Sequence, residues 1–287
     1  MSQVRLKQNE ENMLRIQYAA RYCFNRAEAL NDVVWGLCIL SVVTGLIPTT
    51  VPETWQLGIP VVIDLAALLC GWRLSANLSL AASFRKYFDA YVLSIGSDAF
   101  DRDTKQTLFE KALKLERTHS EEARIQMTHT GRDNPPGVKD WYELPQNILP
   151  EDEPYECQRQ NCWWNDRLAK TRLLYSIIIF CAVFGILIGV HSLLELSLLK
   201  TLLCCGPIAL RLLERVANNI MYILKSYKID SIVENLSESR TAENVLKLQS
   251  LIDERRGMPV LERNRLHRRR AKRYSEEMQK INDNSRR

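Results

Sequence analysis

The fold this sequence predicts is an all-α membrane protein: four transmembrane helices form two hairpins around a helical cytoplasmic domain, with both termini on the cytoplasmic side. Three observations predict it. Four apolar stretches come as two tight pairs, Val33 to Pro48 with Trp55 to Trp72, and Leu173 to Val190 with Leu193 to Leu213. About a hundred residues of charged sequence separate the pairs. The short connections Thr49 to Thr54 and His191 to Ser192 hold no Lys or Arg, whereas the amino-terminal arm, the central segment and the tail are rich in both. Because basic residues stay on the cytoplasmic side, this asymmetry sets the orientation. Net charge, +5, does not enter that rule. No cleavable signal is visible, since the first thirty residues are polar where an apolar core would be needed.

The chain divides accordingly into a cytoplasmic amino-terminal helix (residues 1–32), a transmembrane hairpin (33–72), a cytoplasmic helical domain (73–172) with a Pro-rich loop (130–155), a second hairpin (173–213), and a cytoplasmic helical tail with a basic end (214–287). A helix must carry about twenty apolar residues to cross a bilayer core of about 30 Å. Val33 to Pro48 is short and needs its flanks. Trp55 to Trp72 has tryptophans at both ends, as the two headgroup levels favour, but holds Asp64 near its middle. Leu173 to Val190 is uncharged and fits best. In Leu193 to Leu213, Glu195 and Lys200 fall in the outer half, and Gly206-Pro207 is expected to interrupt the inner half.

Outside the spans the periodicity is helical. Leu74, Leu78, Ala81, Phe84, Phe88, Tyr91, Val92 and Ile95 recur at three- and four-residue spacing, so the second span continues out of the membrane as one helix, ending near Gly96-Ser97-Asp98. Thr104 to about Arg124 predicts a further helix with Leu108, Ala112 and Leu115 on its apolar face. Pro135, Pro136, Pro145, Pro150 and Pro154 then block helix, while Trp141, Tyr142, Leu144, Ile148 and Leu149 argue that the loop packs on something. Helix resumes near Cys157 and runs into the third span. Two tracts follow Leu213, one with a stripe of Val216, Ile220, Ile223 and Tyr227, the other with Val245, Leu248 and Ile252, stopping at Gly257 and Pro259. Arg255 to Arg273 carries nine basic residues against Glu262, for which lipid headgroups are the least demanding partner; no polymeric nucleic acid is expected.

Several groups are candidates for function. Asp64 lies about nine residues deep and Lys200 about seven, which at about 1.5 Å per residue matches them in depth to within roughly 3 Å. A charge at mid-membrane costs at least about 2.5 to 3.5 kcal/mol, so Asp64, Glu195 and Lys200 are candidates either for a water path or for a buried pair that fixes helix packing. Gly185 and Gly189 form a Gly-x-x-x-Gly spacing that lets helix backbones approach. Four helices pack around each other without leaving a bore, so an aqueous pore needs several chains or a large rearrangement, and a homo-oligomer is expected. No phosphate loop or H-E-x-x-H occurs, and His119, His129, His191 and His267 are scattered. Cys157 and Cys162 have no His or second Cys pair near them. The chain is therefore expected to be no enzyme, with no catalytic residue, metal or cofactor.

The segments LKQNEENMLRIQYAARYCFNRAEALND, VKDWYELPQNILPEDEPYECQRQNCWWNDRLAKTRLLY and LQSLIDERRGMPVLERN resemble the S-4TM proteins, four-span effectors encoded beside bacterial cyclic-oligonucleotide synthases. The most specific pieces are Gln8-Asn9-Glu10, Asp140-Trp141-Tyr142, and Cys157-Gln158 with Asn161 and Trp164. The resemblance implies a pore-forming effector of CBASS-type antiphage defence in the bacterial inner membrane, answering to a cyclic oligonucleotide or to a nucleotidyltransferase-linked partner. Anionic nucleotides need cations and aromatic faces, which Trp141, Tyr142, Arg159, Trp163, Trp164 and Arg167 supply; for Trp163 and Trp164 a place in the domain core is the competing role. A second function stays open on the residues: a non-conducting membrane scaffold or sensor that recruits a cytoplasmic partner.

Overall fold

Short polar side chains open three of the helices. Ser2 accepts a hydrogen bond from Arg5 N at 3.2 Å, Asp101 from Thr104 N at 2.6 Å, and Thr241 from Asn244 N at 3.4 Å, each satisfying an amide that the first turn leaves bare. The computed structural model describes residues 2–46, 53–96, 100–144, 147–193, 198–236 and 241–261. Among them the helices are α1 (Gln3–Gln8), α2 (Glu11–Leu46), α3 (Glu53–Val92), α4 (Arg102–Thr118), α5 (Ser120–Thr128), α6 (Glu153–Leu193), α7 (Leu198–Leu236) and α8 (Ala242–Arg256). No strand occurs among the described residues.

The helix leaving the second span continues as expected, but it stops differently. Ser94 has φ 56°, Ile95 N donates to Ala90 O at 3.2 Å and Ser94 N to Tyr91 O at 3.4 Å. This is a Schellman ending with Ser in the left-handed position usually given to Gly, and Lys7 Nζ holds the Ser94 hydroxyl at 2.6 Å. Ser97 and Asp98, part of the expected stop, lie outside the described residues.

Three other expectations change. The helix predicted over Thr104 to Arg124 is two helices, broken where His119 leaves helical geometry (φ −127°, ψ 49°) and its ring approaches Tyr22 at 4.6 Å. Pro154 does not block helix: it is the second residue of α6, in the first turn, where a missing N–H costs nothing. Pro207 does not interrupt its segment either. α7 runs through it, so the fourth apolar stretch and the first tract of the tail form one helix.

The chain separates into two units. The first comprises Met1–Arg26, Ala76–Asn165 and Lys225–Met258; the second comprises Ala27–Ser75, Asp166–Leu224 and Pro259–Arg287. In the first unit, heptad-like spacing puts Met13, Ile16, Ala20 and Cys23 of α2 into one core with Phe84 and Phe88 of α3, Leu108 and Ala112 of α4, and Tyr142 and Leu144 of the loop. A second cluster joins Tyr155 and Cys162 of α6 to Ile229 and Leu236 of α7 and Leu248 and Ile252 of α8. The Pro-rich loop is knitted down as its apolar content requires. Val138 N donates to Gln126 O at 2.8 Å and Lys139 N to His129 O at 3.0 Å, and Gly137 sits so close to the His129 carbonyl that any Cβ would collide with it. Leu149, in contrast, is exposed.

The second unit has a small core of Val34, Cys38, Ala67, Ile208 and Leu212. Three described helices are long and apolar enough to cross a membrane: Glu11–Leu46, Gly58–Val92 and Glu153–Leu193. The last has only 6% of its apolar window buried, with Leu174, Tyr175, Ile177, Ile178, Ile179, Phe184, Ile186 and Ile188 all exposed. Full burial of one such side chain is worth about 1.5–3 kcal/mol, so the exposed halves of eight together forgo an amount comparable to the about 5–15 kcal/mol by which a folded chain is stable. Lipid removes that penalty. Helix packing inside the unit depends on Gly45 of α2, where a Cβ would run into the Cys204 Sγ of α7.

Candidate functional site

The richest polar cluster lies in the first unit and is built on Asp89, one acidic residue in the run Tyr87-Phe88-Asp89-Ala90-Tyr91-Val92 of α3. Only 2% exposed, Asp89 accepts from the Tyr142 hydroxyl at 2.6 Å on one oxygen and from Arg256 Nη1 at 2.6 Å on the other. Arg256 closes α8 and also contacts Asp253 at 3.4 Å. Asn161 of α6 donates to the Tyr142 oxygen at 2.9 Å. The carboxylate thus ties α3, α6, α8 and the loop together.

The electrostatics follow from burial. Burial pushes Tyr142 well above a normal phenol, and the neighbouring Asp89 charge adds to this, so the hydroxyl stays a donor. Burial opposes the Arg256 cation, but Asp89, Tyr142 and Asp253 together more than offset it and raise its pKa. Burial also raises Asp253, with Arg256 opposing. Beside this cluster Arg85 lies over the Trp141 ring at 3.8 Å.

The family-like motifs of the sequence converge here. Gln8 pairs with Tyr142 along its backbone: Tyr142 N donates to Gln8 Oε1 at 2.8 Å, and Gln8 Nε2 donates to Tyr142 O at 3.3 Å. Asn9 does the same for Asp140, donating to its carboxylate at 2.7 Å and accepting from its N–H at 3.1 Å, at a residue with φ 51°. Glu10 accepts from the Tyr91 hydroxyl at 2.7 Å. Gln158, fully buried, donates to Gln249 Oε1 at 2.9 Å and Val245 O at 3.3 Å, and Cys157 is in the core. These residues are clamps joining chain segments more than eighty positions apart.

Of the six residues expected to face a nucleotide, Tyr142 is a core residue with its hydroxyl committed to Asp89. Trp141 is half-buried against the core under Arg85, and Arg159 pairs with Glu156 at 2.8 Å. Trp163 and Trp164 meet edge to face at 6.1 Å and are half-buried, outside the fully buried core. These four belong to the first unit and Arg167 to the second.

In the second unit, Asp64 Oδ1 is buried beside the Ser41 hydroxyl, without a hydrogen bond of good geometry between them. Glu195 and the side chain of Lys200 lie outside the described residues. A Cβ on Gly185 or Gly189 would meet nothing within 4 Å, so neither makes a close helix approach within the chain; Gly45 does. Among the described residues no cluster of His, Cys, Asp or Glu forms a metal site.

Sequence reasoning missed Asp89, Arg256 and Gly45. The lone acid in an aromatic helix end was the available signal for Asp89; Arg256 was hidden in a basic run, and nothing local marks Gly45. In comparisons with known proteins, no curated protein and no solved structure matches the chain. The family model of the SMODS-associating 4TM effector domain matches residues 2–285. By that match, across nearly its whole length, the chain belongs to the family of SMODS-associating 4TM effector domains.

Proposed function

We propose that this effector permeabilises the bacterial inner membrane as a homo-oligomer, with four spans and both termini in the cytoplasm, and that a cyclic-oligonucleotide second messenger gates it directly or through a nucleotidyltransferase-linked partner. Membership of a SMODS-associated effector family supports the defence context. The observation that carries the permeabilising reading is α6. Its apolar run is almost wholly uncovered by its own chain, and Gly185 and Gly189 offer bare backbone there for another copy to meet.

Asp64, Glu195 and Lys200 are the polar groups for the lumen of such an assembly, and the buried Asp64 oxygen, with only the Ser41 hydroxyl beside it, supports this for Asp64. α2, α3, α6 and α7 each supply residues to both units. A ligand on the first unit, with Trp141, Arg159, Trp163 and Trp164 as its aromatic and cationic contacts, would shift the equilibrium to the extent that it prefers the open state. The test is expression with an active cyclic-oligonucleotide synthase and a potential-sensitive dye. Depolarisation that depends on synthase activity is expected; an intact potential with recruitment of a cytoplasmic protein would replace this reading with a non-conducting scaffold.

A further inference from the structure

Where all four long helices leave their apolar stretches, the second unit holds a cavity of about 80 Å³. Trp35 of α2, Ser75 of α3, Arg172 of α6 and Arg211 and Arg215 of α7 all border it. Its wall carries three guanidinium groups and one carboxylate, Glu214, with Asn218 and Asn219 as amide donors and acceptors.

Arg172 shows what the cavity lacks. The residue is 6% exposed, its Nε donates to Asn219 Oδ1 at 2.6 Å, and its guanidinium lies 4.6 Å from the Tyr222 ring centre. Its Nη2 is buried with no hydrogen-bond partner. Among the described residues no carboxylate pairs with Arg172. The position therefore holds a buried guanidinium with an unused donor, an unfavourable arrangement unless an acceptor is supplied. Arg215 is oriented toward the same place: its Nε donates to Ser176 Oγ at 3.2 Å, and that oxygen also accepts from Asn219 Nδ2 at 3.2 Å. Arg211 reaches Glu214 at 2.8 Å, which partly offsets the positive charge.

We propose that this cavity binds a phosphate group. Phosphate oxygens match guanidinium N–H groups in charge and geometry and would supply the acceptor that Arg172 Nη2 lacks. The size is selective, since whole small-molecule pockets run to roughly 300 Å³ or more, so the cavity seats the phosphate and leaves the rest of the ligand outside. It lies at the ends of the apolar stretches, and basic pockets between membrane helices hold anionic lipid at such a level. A soluble phosphodiester presents the same chemistry, and the experiment separates the two sources.

The full chain in an uncharged detergent is examined by native mass spectrometry with phosphatidylglycerol, and by calorimetry with glycerophosphoglycerol, inorganic phosphate and a cyclic dinucleotide. Binding of at least one probe is expected, weakened about tenfold or more in Arg172→Gln and Arg215→Gln and strengthened severalfold in Glu214→Gln. Retention of phosphatidylglycerol alone assigns a lipid headgroup; binding of the soluble probes assigns a soluble ligand. Glu214→Gln guards against misfolding, because damage does not strengthen binding. The proposal is overturned if no probe binds wild-type protein, or if Arg215→Gln and Glu214→Gln bind every probe as wild type does.

Discussion

Arg256 and Asp89, 167 positions apart in sequence, meet in a 2.6 Å ion pair whose acidic partner is almost entirely buried. Removing the cation strands a carboxylate in the core, which typically costs about 3–5 kcal/mol. Arg256→Gln should therefore lower the melting temperature of the detergent-solubilised protein by several degrees. A variant melting like wild type would show that the pair contributes nothing to holding α8.

The Tyr142 hydroxyl is the other donor to Asp89. Tyr142→Phe keeps the ring contact with Phe88 at 6.2 Å but removes one charge-assisted hydrogen bond and the acceptor for Asn161. A loss of about 1.5–3 kcal/mol is expected in chemical denaturation. Combined with Arg256→Gln, the two effects should be non-additive, since both act on one carboxylate.

Gln8 holds two backbone groups of Tyr142 in a dry environment. Gln8→Ala leaves both without their side-chain partner, at about 1–3 kcal/mol for each group that finds no replacement. Hydrogen exchange should report it as loss of protection at the Tyr142 amide, with α7 unaffected.

Two glycine positions should respond in opposite ways. Gly45→Ala drives a methyl into Cys204 and is expected to destabilise by about 1–3 kcal/mol, partly rescued by Cys204→Ala. Gly185→Ala adds a Cβ that meets nothing within 4 Å in its own chain, so monomer stability should hold while crosslinked oligomers decrease. Unchanged crosslinking would remove Gly185 from any contact between copies.

Burial pushes the Cys162 thiol up to about 11 and the Cys23 thiol up to about 12, against an ordinary value of 9.0. In the folded chain both stay protonated, whereas the unfolded chain releases their protons above about pH 9. Their contribution is thus intact below pH 9 and lost as pH rises through 11 to 12, on the order of 2–3 kcal/mol for Cys162. Neither thiol should react with maleimide at pH 8 until denaturant is added. Rapid labelling of native protein would contradict the burial.

The sequence made the helices legible where one period ran for many turns. Leu74 to Val92 and Leu173 to Val190 carry their apolar positions in order, so the exit of the second span and the third span were readable. Boundaries set by one residue's exception were not. Ser94 adopts a conformation that composition assigns to Gly, Pro154 falls where Pro is harmless, and Pro207 sits in a helix that continues past it. The clamps were visible only as motifs. Gln8, Asn9, Asp140 and Tyr142 stood out as a pattern, but their pairing is long-range and has no local signature. An aromatic ring beside cations suits a stacked ligand and a core equally in sequence, and the core position of Tyr142 is visible only in the fold.

The three-part construction of the first unit, from Met1–Arg26, Ala76–Asn165 and Lys225–Met258, imposes an order on biosynthesis. During translation Asp89 emerges long before Arg256, and all the apolar stretches are made between residue 33 and residue 213, ahead of α8. The apolar helices are therefore synthesised before the first unit is able to close. A chain truncated short of residue 256 would carry its membrane segments with Asp89 lacking its cation. The half of the molecule proposed to receive the signal therefore closes only after synthesis has passed residue 256.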